Sequence, residues 1–208
     1  MRLRVVAFSD FICPFCYIGL TTTRKLAREL DFELECIGYE IHPDWPAAGI
    51  SAKDFYASQG LNEGQWRSAW ERIARLAGDA GLAIKPRERM SSSRLALQAA
   101  ELARERGVEQ PFEKRVFSAY FEQGADIGDV GVLAALGEEV GVETGELRSA
   151  LSAEKYRDKL MSNADLAHQY GVTGVPTFFV RGFPIVGAQS EQTMREILKR
   201  VQDRVASA

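Results

Sequence analysis

Cysteine and histidine are scarce in this chain, with three of the first and two of the second in 208 residues. A structural zinc site takes four ligands, typically Cys or His. Apart from Cys13 and Cys16, only Cys36, His42 and His168 could supply them, with no second CxxC and no HxxxH pair, which argues against a zinc framework. An odd cysteine count also argues against a disulfide scaffold, and a chain of this length can bury a core that needs none. A surplus of basic charge is missing too. The 26 Lys and Arg face 29 Asp and Glu, a net charge of -3, which lacks the footprint of a nucleic-acid binder. No hydrophobic run approaches the ~20 residues of a membrane span. The opening MRLRVVAFSD breaks its apolar run at Ser9-Asp10, too early for a signal-peptide core, and no small-residue cleavage site follows. The expectation is a cytoplasmic protein with no membrane and no nucleic-acid partner. Internal repeats, low-complexity tracts and Pro/Gly/Ser linkers are absent as well, so nothing marks a flexible joint.

What is present is a chain whose ends differ from its middle. LRVVAF at Leu3 to Phe8 is rich in β-branched and aromatic residues and reads as a buried strand. Helical spacing follows from Cys13 to about Leu30, with Pro14 tolerated in the first turn. Period-two alternation from Phe32 through Ile37 gives a second strand, ended by Pro43 and Pro46. From Ser51 to about Tyr170 the pattern is helical, in six short amphipathic pieces ending near glycine and then a helix over about Glu154 to Tyr170. PTFFV, the turn Arg181-Gly182 and FPIVG form a hairpin, and a last helix is capped by Ser190. The simplest architecture is an α/β sheet built from residues 1–50 and 154–208, covered by an all-helical insertion at residues 51–153.

The chemistry rests on Cys13-Pro14-Phe15-Cys16. Cys13 falls between a strand and a helix, where free amide donors and the positive end of the helix dipole favour a thiolate. The two-residue spacing puts Cys16 one turn on, on the same side, able to close a disulfide or attack a mixed one. Zinc half-site and plain burial are the competing readings; burial suits Cys36 on the apolar side of its strand, since free cysteine is commonly a small buried hydrophobe. Val175-Pro176 enters a strand, which fits an edge-strand start or a cis bond, the latter found in about 5–6% of X–Pro bonds. His42 and His168 stand alone and read as structural or surface residues.

FSDFICPFCYIG, followed far downstream by GVTGVPTFFVRG and VGAQ, resembles the DsbA-like thioredoxin-fold oxidoreductases, and most closely their cytosolic FrnE-like branch. The resemblance spans the whole chain, and implies a thioredoxin fold interrupted by a large all-helical insertion. It implies Cys13 as nucleophilic thiol, Cys16 as resolving thiol and Pro176 as a cis-proline facing them. Val175 would pair with a substrate's extended backbone. Phe11, Phe15 and Tyr17 are the expected substrate-binding surface, and protein or small-molecule thiols and disulfides the expected partners. No cofactor is expected beyond glutathione as a possible reductant, and the protein is expected to be a monomer or homodimer. Two departures matter. Secreted DsbA has histidine where Phe15 stands, so this pair should be less oxidising, nearer thioredoxin at about -270 mV than DsbA at about -120 mV. DsbA also has glutamate where Ala7 stands, which leaves Asp10 as the candidate for proton handling, with a turn or capping acid as its other reading.

Two other functions remain open at this point. The 2-hydroxychromene-2-carboxylate isomerases and kappa-class glutathione transferases resemble the same scaffold, but typically carry serine where Cys13 stands. A non-catalytic holdase would need an apolar groove around Phe11, Phe15, Tyr17 and Phe178.

Overall fold

The computed structural model describes residues 2–206. The first three elements are β1 (Leu3–Ser9), α1 (Pro14–Glu29) and β2 (Phe32–Gly38), with β1 and β2 parallel from Leu3 opposite Phe32 to Ser9 opposite Gly38. β1 is covered on both sides. Val5 and Ala7 join the core shared with the helices, and Phe8 packs with Ala167, Val172 and Phe179 on the opposite face. Burial on both faces explains why the strand reads as a continuous apolar run rather than an alternation.

The end of the chain returns to this sheet. β5 (Thr177–Val180) runs antiparallel to β1, and β6 (Phe183–Val186) pairs with β5, giving the order β2-β1-β5-β6. The hairpin turns at Arg181 (φ 50°) and Gly182 (φ 83°), the double positive-φ geometry whose twist matches the flanking strands. A final helix, running Glu191–Ala206, starts at the Ser190 hydroxyl, which accepts from Thr193 N at 3.1 Å.

Between the sheet's two halves lie α2 (Ala52–Ser58), α3 (Glu63–Asp79), α4 (Arg94–Glu105), α5 (Glu109–Phe121), α6 (Val130–Glu138) and α7 (Thr144–Ser152), with α8 (Arg157–Gln169) leading back to β5. Their starts follow capping chemistry. Asn62 and Gln65 form a reciprocal capping box on α3, and the Glu143 carboxylate accepts from Gly145 N and Glu146 N on α7. The helical segment and the sheet share one apolar core, in which Val5, Leu20 and Phe178 are continuous with Phe112, Phe117 and Leu133. A second, two-stranded sheet pairs β3 (Ile50–Ser51) with β4 (Arg89–Met90), and the sequence pattern gives no sign of it. Strands of two residues have no period to detect.

Candidate functional site

Asp10-Phe11-Ile12 turns the chain from β1 into α1. Cys13 N–H donates to the Asp10 carbonyl at 3.2 Å, and Ile12 N–H donates to Asp10 Oδ1 at 3.2 Å. Cys13 is then the N-cap of α1, in extended conformation, and its sulfur accepts from Cys16 N–H at 3.4 Å in place of the usual capping oxygen. Pro14 occupies the first helical turn, where its missing donor is not needed. One turn on, Cys16 lies 3.3 Å from Cys13. The two are unequal. Cys13 is 6% exposed and Cys16 fully buried, and burial, followed by the neighbouring Cys13 sulfur, raises the Cys16 thiol well above its ordinary pKa.

A loop from the far end of the sequence closes over this pair. The Cys13 thiol donates to the Val175 carbonyl at 3.4 Å, and the Val175–Pro176 peptide is cis. The loop is fastened on both sides: Gly187 N–H donates to the Pro176 carbonyl at 2.8 Å, and the Thr177 hydroxyl to the Gly174 carbonyl at 2.7 Å. Gly19 lets α1 approach it, since a Cβ there would sit 3.2 Å from both the Pro176 ring and the Phe178 ring.

Asp10 lies under the pair, fully buried. Its backbone N–H donates to Cys16 Sγ at 3.5 Å, and Oδ2 accepts from Ile41 N–H at 2.8 Å. Burial outweighs these donors and lifts its carboxyl pKa from 3.8 to about 6. Asp10 therefore caps the turn before Cys13, its carboxyl held by Ile12 and Ile41 and its backbone N–H by the buried sulfur.

The expected aromatic surface takes a different form. Phe15 is 38% exposed and Val175 half-buried, so both are open to a partner. Phe11 and Tyr17 are not. Phe11 (3% exposed) lies 4.9 Å from Phe117, and the Tyr17 ring (5% exposed) stacks on Phe117 at 5.1 Å. The Tyr17 hydroxyl donates to Glu122 Oε1 at 2.9 Å, which with burial raises its pKa. Substrate-facing roles for Phe11 and Tyr17 are thus corrected to anchors between the cysteine turn and α5. Of the four residues named for a holdase groove, Phe11, Tyr17 and Phe178 are buried and Phe15 is exposed.

Several partners were not foreseeable from the motif. Ile41, which holds Asp10, comes from the loop after β2, and Glu122, which holds Tyr17, from the end of α5. Cys36 is buried near the Arg24–Glu113 ion pair, and burial pushes its thiol pKa well up. His42 stacks on Trp45, with ring centroids 4.1 Å apart. Among the described residues, no three or more His, Cys, Asp or Glu side chains gather as a metal site, and no helix is long and apolar enough to cross a membrane.

Comparison with known proteins places this geometry among relatives. The uncharacterized protein YwbO of Bacillus subtilis is 26% identical over 207 residues, covering 98% of this chain and all of that protein. The crystal structure of a probable DsbA oxidoreductase, SCO1869 from Streptomyces coelicolor, superposes with a TM-score of 0.89 at 24% identity, covering 97% of this chain and 91% of that one. The cytosolic disulfide reductase DsbM from Pseudomonas aeruginosa, solved with GSH, gives 0.67 at 19% identity over 99% of this chain and 98% of that one. Both likenesses show a shared fold. The family model of the DSBA-like thioredoxin domain matches residues 4–199, nearly the whole length, and the chain belongs to that family.

Proposed function

We propose that this protein is a thiol–disulfide oxidoreductase with Cys13 as nucleophile and Cys16 as resolving thiol. The observation that carries the proposal is the paired geometry: Cys13 at the helix N-terminus, within 3.3 Å of Cys16, with the Val175 carbonyl on its sulfur. In the reducing direction, the Cys13 thiolate attacks one sulfur of a substrate disulfide. The substrate S–S bond breaks, a mixed disulfide forms, and the departing thiolate takes up a proton. Cys16 then loses its proton, attacks the Cys13 sulfur and releases the second substrate thiolate, leaving a Cys13–Cys16 disulfide. Two electrons have passed to the substrate.

Each neighbour has a part in this scheme. The buried Cys16 thiol needs a proton acceptor, a part this reading gives to Asp10, whose backbone N–H reaches Cys16 Sγ and whose carboxyl pKa is raised to about 6. Val175 N–H has no hydrogen-bond partner among the described residues, which leaves it available to an extended substrate strand, with Phe15 as an apolar contact. Pro176 fixes the loop against the pair. Two molecules of glutathione would return the disulfide to the dithiol, in the cytoplasm that the sequence suggests. The isomerase and transferase reading has serine at the position of Cys13, and the intact cysteine pair favours exchange over it.

The test is turnover of a small aromatic disulfide with glutathione as reductant. Cys13→Ser should abolish the reaction, Cys16→Ser should trap a mixed disulfide visible by mass, and Cys36→Ser should leave the rate unchanged. Retained turnover in Cys13→Ser would sink the assignment.

A further inference from the structure

The strand that leads into the cysteine turn also ends against the second cysteine. Val5 and Ala7 of β1 sit in the core shared with α1, and Phe8 packs on the opposite face of the sheet. Side chains two apart on a strand share a face, so Ser9, the last residue of β1, is on the α1 side, where Cys16 is fully buried. There its hydroxyl hydrogen-bonds the Cys16 sulfur. Ser9 is itself only 6% exposed, and its backbone is fixed opposite Gly38, with the Tyr39 N–H donating to its carbonyl at 2.9 Å. The Asp10 N–H reaches the same sulfur at 3.5 Å. Two consecutive residues at the end of β1 thus direct donors at one buried thiol.

The use of these donors follows from the charge that Cys16 must carry. When the mixed disulfide resolves, Cys16 gives up its proton to the acceptor, Asp10 in the reading above, and its thiolate attacks the Cys13 sulfur. The Cys13–substrate S–S bond breaks, the Cys13–Cys16 bond forms, and the substrate leaves as a thiolate that takes up a proton. Burial, and then the Cys13 sulfur, oppose the Cys16 thiolate by raising its pKa, while the Asp10 and Ser9 donors act in its favour. The Asp10 donor is a backbone amide, present whatever side chain stands there; the hydroxyl depends on Ser9 being serine. We infer that Ser9 is a catalytic residue of the second step, donating its hydroxyl hydrogen to Cys16 Sγ as the resolving thiolate forms. This role rests on the assignment of Cys16 as the resolving thiol.

The test separates the two steps. With Cys36→Ser as background, reduced protein mixed with dithionitrobenzoate should release one thionitrobenzoate as Cys13 forms the mixed disulfide, at a rate that grows with reagent concentration, and a second as Cys16 resolves it, at a rate that does not. Losing one hydrogen bond to a charged sulfur cuts the thiolate fraction about ten- to a hundredfold, but the thiolate that remains is the better nucleophile, so Ser9→Ala should slow the second phase by about three- to tenfold. Its first phase, which depends on Cys13, should be unchanged. Its equilibrium with glutathione should be unmoved as well, because the resting forms of Cys16, thiol and disulfide, are both uncharged, whereas a structural disturbance of the turn would move it. Ser9→Thr, which restores the hydroxyl on a β-branched residue suited to a strand, should recover most of the lost rate. A second phase as fast in Ser9→Ala as in the wild type, an equal slowing of both phases, or a Ser9→Thr as slow as Ser9→Ala would overturn the inference. Wild-type protein that released no second thionitrobenzoate would overturn the assignment of Cys16 itself, which keeps the two failures apart.

Discussion

Replacing Asp10 by asparagine should change the pH dependence of stability in a calculable way. Asp10 is fully buried, and its carboxyl pKa is raised from 3.8 to about 6. The native state therefore holds this proton more tightly than the unfolded chain does. The stability so gained is complete below about pH 3.8 and is lost as pH rises through 6. At 1.36 kcal/mol per pH unit, the interval between the two values corresponds to roughly 3 kcal/mol. Asparagine does not titrate, but it carries a constant penalty. Both Asp10 oxygens accept backbone N–H groups, from Ile12 and Ile41, and the asparagine amide can accept only one of them, at a cost of about 1–3 kcal/mol at every pH. Urea denaturation of both proteins under reducing conditions, from about pH 4 to pH 8, separates the terms. The wild-type advantage should shrink by about 2.4 kcal/mol across that range, nearly all of it between pH 4 and pH 6, with its midpoint near pH 5. A difference that stays flat to within about 0.5 kcal/mol would refute the buried-carboxyl reasoning.

Three further outcomes are expected. Phe15→His places a hydrogen-bonding, chargeable group at the N-terminal end of α1 and should raise the midpoint potential of the cysteine pair by about 30 mV or more, a tenfold change in equilibrium constant; an unchanged or lower value in glutathione buffers would count against it. Phe117→Ala empties the contact shared by Phe11 and Tyr17 and should cost about 3–5 kcal/mol in urea denaturation, with a loss near zero showing that the cysteine turn is not anchored there. Arg24→Met leaves Glu113 buried without its ion pair and should cost about 3–5 kcal/mol, most of it recovered by adding Glu113→Leu; a double variant no better than the single would contradict the pairing argument.

Much of this architecture was legible because its signals are local. Val5 to Phe8, Pro14 at a helix start, the Arg181-Gly182 turn and the Ser190 cap each fix their own segment through chemistry contained within a few residues. The six helices between Ser51 and Ser152 follow from their apolar faces in the same way. What was not legible depends on distance in sequence. The burial of Phe11 and Tyr17 comes from Phe117, about a hundred residues away, so apolar residues beside the cysteines could be read equally well as wall or as core. Asp10 shows the same limit: its position three residues before Cys13 is visible in the motif, but its raised pKa comes from a fold that buries it completely. The β3–β4 pair is too short to announce itself at all.

The central claim is that Cys13 and Cys16 form one redox couple. The most direct measurement is the state of the pair across glutathione buffers, followed by alkylation and mass shift with Cys36→Ser as background. The account predicts a single reversible two-electron transition, lying nearer about -270 mV than about -120 mV. No transition in the pair, or an unchanged transition after Cys13→Ser, would contradict it.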